Sequence, residues 1–124
     1  MALLREVYEV LEGIVGPDNI TEEPATLDSY AYQWMAELVP DVTGGSKFFD
    51  RAEAVLVPGS AEEVQSIVKA CNQYQLKFHV FSTGWGPWTA TPAKGQILLD
   101  LRRMNRILEI DEQNMFAVVE PYVV

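Results

Sequence analysis

The stretch from residue 54 to residue 82 constrains the fold most. Ala54-Val55-Leu56-Val57 is a short apolar run closed by Pro58-Gly59, the pattern of a buried strand. Ser60 and Glu63 follow at capping-box spacing: the hydroxyl can accept from the amide three residues on, and the carboxylate reaches back to the cap. Val64, Ile67, Val68 and Cys71 then recur at i, i+3, i+4 and i+7, which predicts a helix over 61–74. Residues 77–82 read as the next strand. Strand, helix and strand over so short a span make a βαβ unit with a right-handed crossover expected.

On the N-terminal side, Leu3, Val7, Val10, Leu11 and Ile14 predict an amphipathic helix over 3–15. Gly16-Pro17 ends it, glycine supplying a left-handed cap and proline refusing to continue the helix. Residues 18–24 read as a connector. Residues 28–38, with Tyr30, Tyr32 and Trp34, read as a short helix or turn, and Thr43-Gly44-Gly45-Ser46 as a loop. Beyond the βαβ unit, a strand is expected over 96–101, a turn over 102–105, an extended piece over 107–110, a turn over 111–114 and a final strand over 115–120. Two main helices and two to four strands make an α+β domain: a βαβ unit plus short strands flanked by helices.

A chain of 124 residues leaves room for one compact domain, and 48% apolar residues suffice for a core. Nine basic against eighteen acidic side chains give a net charge of −9, which argues against binding nucleic acid or an anionic membrane. One cysteine excludes an internal disulfide, and with one histidine it cannot build a structural zinc site. The apolar runs are too short to span a membrane, and Glu6 and Glu9 break any secretory pattern, so the cytoplasm is the expected location.

Ser82-Thr83-Gly84-Trp85-Gly86-Pro87-Trp88-Thr89 carries the chemical interest. It follows the second strand of the βαβ unit, the end at which such sheets hold ligands. Two glycines one residue apart let the backbone approach a ligand, a run of amides can cradle an anion such as pyrophosphate, and Ser82 and Thr83 add hydroxyl donors. The loop has no lysine or arginine, so dipoles rather than a salt bridge would hold a phosphate. It lacks the third glycine of a dinucleotide fingerprint and the Gly-Lys-Ser/Thr of a Walker loop. By spacing alone, a Gly-x-Gly turn is more often only a turn.

The wider string is more specific. Pro58-x-Ser60-x-Glu62-Glu63-Val64, Val80-Phe81-Ser82-Thr83-Gly84, the run GQILLDLRRMNRILEID from Gly95 to Asp111, and Val119-Glu120-Pro121 together resemble the p-cresol methylhydroxylase and vanillyl-alcohol oxidase superfamily. The resemblance is to the first subdomain of its flavin-binding domain, in the 4-alkylphenol-oxidising or glycolate-oxidase-like branches. It implies FAD as cofactor, with the pyrophosphate held by the backbone at Ser82, Thr83, Gly84, Trp85, Gly86, Pro87 and Trp88. It also implies that residues 1–53 are an N-terminal helix and connector and 54–124 the first part of the FAD-binding domain. The family's catalytic residues lie in later segments, so this chain is expected to be inactive alone, and its partners are FAD and either the rest of an enzyme or a second copy. Trp88 falls where a glycine is usual, and Tyr122 replaces the glycine of a Glu-Pro-Gly-Val string. The alternative is a stand-alone binding or interaction module of this fold that has lost flavin.

Other chemical side chains have plainer readings. His79 in its strand reads as a satisfied structural histidine and Cys71 on the apolar helix face as a small core residue. Tyr30, Tyr32 and Trp34 read as packing, and Glu22-Glu23 and Glu62-Glu63 as solvated faces or caps. Arg102, Arg103 and Arg106 are expected to pair at the surface with Asp111 or Glu109. Phe116, Val118 and Val119 are available for burial on the last strand.

Overall fold

The computed structural model describes residues 3–32, 50–84 and 94–124. Helix α1 (Arg5–Val15) buries Val7, Leu11 and Val15, one residue per turn on a single face. It ends at Gly16, whose φ of 87° is positive but whose ψ of 156° is extended, so the left-handed cap expected there does not form. The chain swings instead into a 3-10 turn (Pro17–Asn19), and Asn19 Nδ2 donates to the Val15 carbonyl at 2.8 Å. Strand β1 (Ile20–Thr21) and helix α2 (Pro24–Ala31) follow. Both begin inside the stretch read as a connector. Proline at the first helical position, with the Glu23 carboxylate accepting from Thr26 N at 2.7 Å, starts α2. Trp34 and the loop 43–46 lie outside the described residues.

Strand β2 (Val55–Leu56), helix α3 (Ala61–Tyr74) and strand β3 (Lys77–Phe81) realise the strand–helix–strand unit. Ser60 Oγ accepts from Glu63 N at 3.2 Å, as the capping spacing predicts. The Glu63 carboxylate reaches one residue past the cap and accepts from Gly59 N at 2.7 Å. Gln75 closes the helix in the left-handed region, φ 54° and ψ 36°.

The main sheet runs β1-β2-β4-β3, with β4 (Gln96–Asp100) parallel to both β2 and β3 and β1 antiparallel to β2. The two strands of the βαβ unit are therefore not neighbours; β4 lies between them. Its sequence suits the centre: Ile97, Leu98 and Leu99 are fully buried and cover both faces. Ile97 and Leu99 join Val7, Leu11, Leu56, Ile67 and Cys71 beneath the helices. Leu98 joins Leu27, Ala52 and Val55 on the opposite face, with Tyr30 and Phe81 packed beside them. Each buried side chain of this size stabilises the fold by about 2 kcal/mol.

Strands β5 (Ile107–Asp111) and β6 (Phe116–Val119) form a separate antiparallel hairpin. The apolar side chains of the hairpin stay open to solvent: Phe116, Val118 and Val119 are 47%, 41% and 44% exposed, and Ile107, Leu108 and Ile110 are more so. No other described strand pairs with the hairpin. The arginine pairings also differ from expectation. Arg106 holds the buried Glu120 at the hairpin base, Nη2 to Oε1 at 2.7 Å and its amide to Oε2 at 2.8 Å. Arg103 donates to the Val57 carbonyl at 2.8 Å and stands 3.7 Å from Glu63. Asp111 sits at the far end of β5 and is committed to its turn, accepting from Asn114 N and Nδ2 at 2.8 Å. The arginines therefore reach back to groups beside their own turn. No helix among the described residues is long and apolar enough to cross a membrane.

Candidate functional site

Strands β3 and β4 run parallel and end together, Phe81 opposite Asp100. Leu101 N donates to the Phe81 carbonyl at 2.9 Å and closes the ladder there. The chain then leaves β3 at the carboxyl edge of the parallel strands, where ligands bind in sheets of this kind. Ser82, Thr83 and Gly84 are the first three residues of the glycine loop; Trp85, Gly86, Pro87 and Trp88 lie outside the described residues.

Gly84 has φ +74°, a backbone that L side chains rarely adopt. A Cβ there would stand 2.8 Å from Cζ and 3.1 Å from Cε2 of Phe81, so the glycine backbone rests on the aromatic ring. Ser82 Oγ donates its one proton to the Pro121 carbonyl at 2.6 Å. That hydroxyl, anticipated as a phosphate donor, ties the loop to the segment after β6. Thr83 is exposed.

Beside the loop is a charged cluster that the sequence did not reveal. Asp100 is fully buried. Its Oδ2 accepts from Tyr30 Oη at 2.5 Å and from Arg102 Nε at 2.8 Å, and its Oδ1 from the Arg102 amide at 2.9 Å. Arg102 Nη2 also donates to Tyr30 Oη at 2.8 Å, closing a ring of three groups. Burial first, then the hydrogen bond to Asp100, raises the Tyr30 phenol far above its ordinary value. Hydrogen bonding to Asp100 raises Arg102. The Tyr30 ring meets the Phe81 ring edge to face, with centroids 5.4 Å apart and an interplanar angle of 86°. The only sequence signal for this cluster is an aspartate directly continuing an apolar central strand.

The remaining titratable candidates stand apart from the loop. Burial lowers His79, and its Nε2 is buried without a partner; burial raises the Cys71 thiol. Among the described residues no group of three His, Cys, Asp or Glu side chains could hold a metal. A cavity of about 570 Å³ lies at the opposite, amino-terminal end of the strands, lined in part by Glu22, Asp50, Glu53, Arg51 and Lys94. Three carboxylates against two cations make a poor berth for a pyrophosphate. A positive-φ glycine at the carboxyl edge of a parallel sheet suits a dinucleotide cofactor better than that acidic cavity does.

These features define an α+β domain with a ligand-binding edge at the carboxyl ends of its parallel strands. A family model described as an FAD binding domain matches residues 52–124, and the chain belongs to that family. It is an FAD-binding domain of the kind found in FAD-linked oxidoreductases. The flavoprotein subunit of 4-cresol dehydrogenase (hydroxylating) from Pseudomonas putida is 40% identical over 73 residues, 56% of this chain and 14% of that protein. Glycolate oxidase subunit GlcD from Bacillus subtilis is 28% identical over 123 residues, 98% of this chain and 24% of that protein. The crystal structure of p-cresol methylhydroxylase with substrate bound superposes with a TM-score of 0.80 at 29% identity, covering 95% of this chain and 22% of that one. The chain thus spans about a quarter or less of the length of these relatives.

Proposed function

We propose that this chain is the N-terminal FAD-binding part of an FAD-dependent oxidoreductase, and that Ser82, Thr83, Gly84, Trp85, Gly86, Pro87 and Trp88 hold the FAD pyrophosphate through main-chain amides. The observation that carries the reading is Gly84, with a positive φ of 74° and laid against Phe81 where the parallel strands end. With its hydroxyl proton given to Pro121, Ser82 contributes its amide. When bound, FAD supplies the two-electron redox chemistry. This chain's residues bind and orient it, and residues outside this chain hold the oxidised substrate. The division into an N-terminal helix and connector, 1–53, and a first FAD-binding part, 54–124, belongs to the same proposal. The exposed apolar hairpin supports a further partner, the rest of the enzyme, and a single unpaired, buried Cys71 suits the cytoplasm.

The test is titration of the chain with FAD, followed by calorimetry. One wall of a site should bind weakly, with a dissociation constant of roughly micromolar or above, because ordering the loop opposes binding. Gly84→Val should weaken it by about tenfold or more, since a Cβ would collide with the Phe81 ring and displace the loop backbone. Unchanged affinity in that variant refutes the loop assignment. Reduction of an artificial electron acceptor by the isolated chain at enzyme-like rates would refute the absence of a catalytic centre.

A further inference from the structure

We infer that Tyr30 and Asp100 are positioning residues for FAD, acting on the glycine loop through the ring of Phe81. The inference rests on the assignment of that loop as the pyrophosphate site. Three segments far apart in sequence converge there: Tyr30 from α2, Phe81 from the end of β3, and the end of β4 with the turn beyond it, which brings Asp100 and Arg102. Gly84 lies so close to Phe81 Cζ and Cε2 that the ring sets the path of the backbone above it. The ring in turn packs against Tyr30 in a T-shaped pair. Tyr30 is fixed at its other end, donating to Asp100 and accepting from Arg102.

The arrangement exceeds what packing needs. An apolar residue at position 100 would fill the space without the cost of burying a carboxylate. A hydrogen-bonded carboxylate adds direction: it sets the angle of the Tyr30 ring, and through it the plane on which Gly84 rests. Loops that bind phosphate by amides depend on that angle, because each N–H must aim at an oxygen within the narrow range of a good hydrogen bond. Removing the charge of Arg102 is a stability perturbation; removing the Tyr30 ring or the Phe81 ring perturbs the loop.

The experiment uses the full 124-residue chain. FAD affinity is read by calorimetry and by quenching of tryptophan fluorescence, well below each variant's melting temperature. Tyr30→Leu and Phe81→Leu should each weaken FAD binding by roughly threefold to tenfold, the scale of an edge-to-face aromatic pair. Tyr30→Phe keeps the ring and loses the tether, so it should recover part of the affinity that Tyr30→Leu loses. Val15→Ala, in the core under α1, serves as the stability control and should bind FAD as the parent does. Equal loss of affinity in Val15→Ala would reduce the effect to instability and overturn the inference. If Gly84→Val weakens binding while Tyr30→Leu and Phe81→Leu do not, the inference fails and the loop assignment stands. If Gly84→Val binds FAD like the parent, the loop assignment fails and the inference falls with it.

Discussion

Replacing Arg102 by alanine strands a buried charge, and the size of the effect follows from the geometry. Asp100 has no exposure, and Arg102 gives it an Nε–H bond of 2.8 Å and an Nη2 contact of 2.6 Å. Only Tyr30 Oη and one main-chain amide remain in the variant. Breaking a fully buried ion pair costs about 3–5 kcal/mol. The Arg102 side chain is 54% exposed, so solvent already screens the pair, and about 2–3 kcal/mol is the expected loss. For a domain of this size that lowers the melting temperature by about 6–12 °C. Thermal and urea melts of the parent and the variant measure it. Asp100→Asn in the Arg102→Ala background should restore stability, so the double variant is more stable than Arg102→Ala alone. Strict additivity of the two substitutions would refute the argument.

Gln75→Gly should raise stability by about 0.5–1 kcal/mol, because Gln75 occupies the left-handed region at φ 54° where glycine carries no Cβ strain; a lower melting temperature sinks this. Burial lowers His79 below its ordinary value of 6.5, so the unfolded chain takes up that proton first. Stability from His79 is therefore intact above 6.5 and lost as pH falls through the lowered value, and His79→Gln should flatten the urea-melt profile between about pH 5 and 7. Below the ordinary carboxylate value of 4.5, Glu23 and Glu120, both held low by hydrogen bonds, add to the loss. The exposed hairpin should make the isolated chain associate in a concentration-dependent way, and Ile110→Lys should shift it toward monomer; light scattering showing a strict 13.9 kDa monomer of the parent at high micromolar concentration would overturn this.

By itself the sequence determined the local elements: α1 and α3 from their apolar spacing, the Ser60 cap, the strand–helix–strand order, and the position of the glycine loop. These follow from interactions within a few residues, which periodicity and turn chemistry record directly. The family resemblance over 54–121 pointed to FAD as the cofactor, again from a continuous string. Strand order, partner choice and exposure were decided only by the tertiary structure. Nothing near Gln96 says that β4 separates β2 from β3; that depends on which strand can bury both faces. Tyr30 meets Asp100 across 70 positions, and Arg103 reaches Val57 across 46. Neighbouring acidic residues in sequence, Asp111 and Glu109, were the wrong partners, because a short-range rule does not register which carboxylate the fold has buried. Ser82 shows the same limit: its hydroxyl reads as a ligand donor until Pro121, 39 positions away, arrives to take the proton.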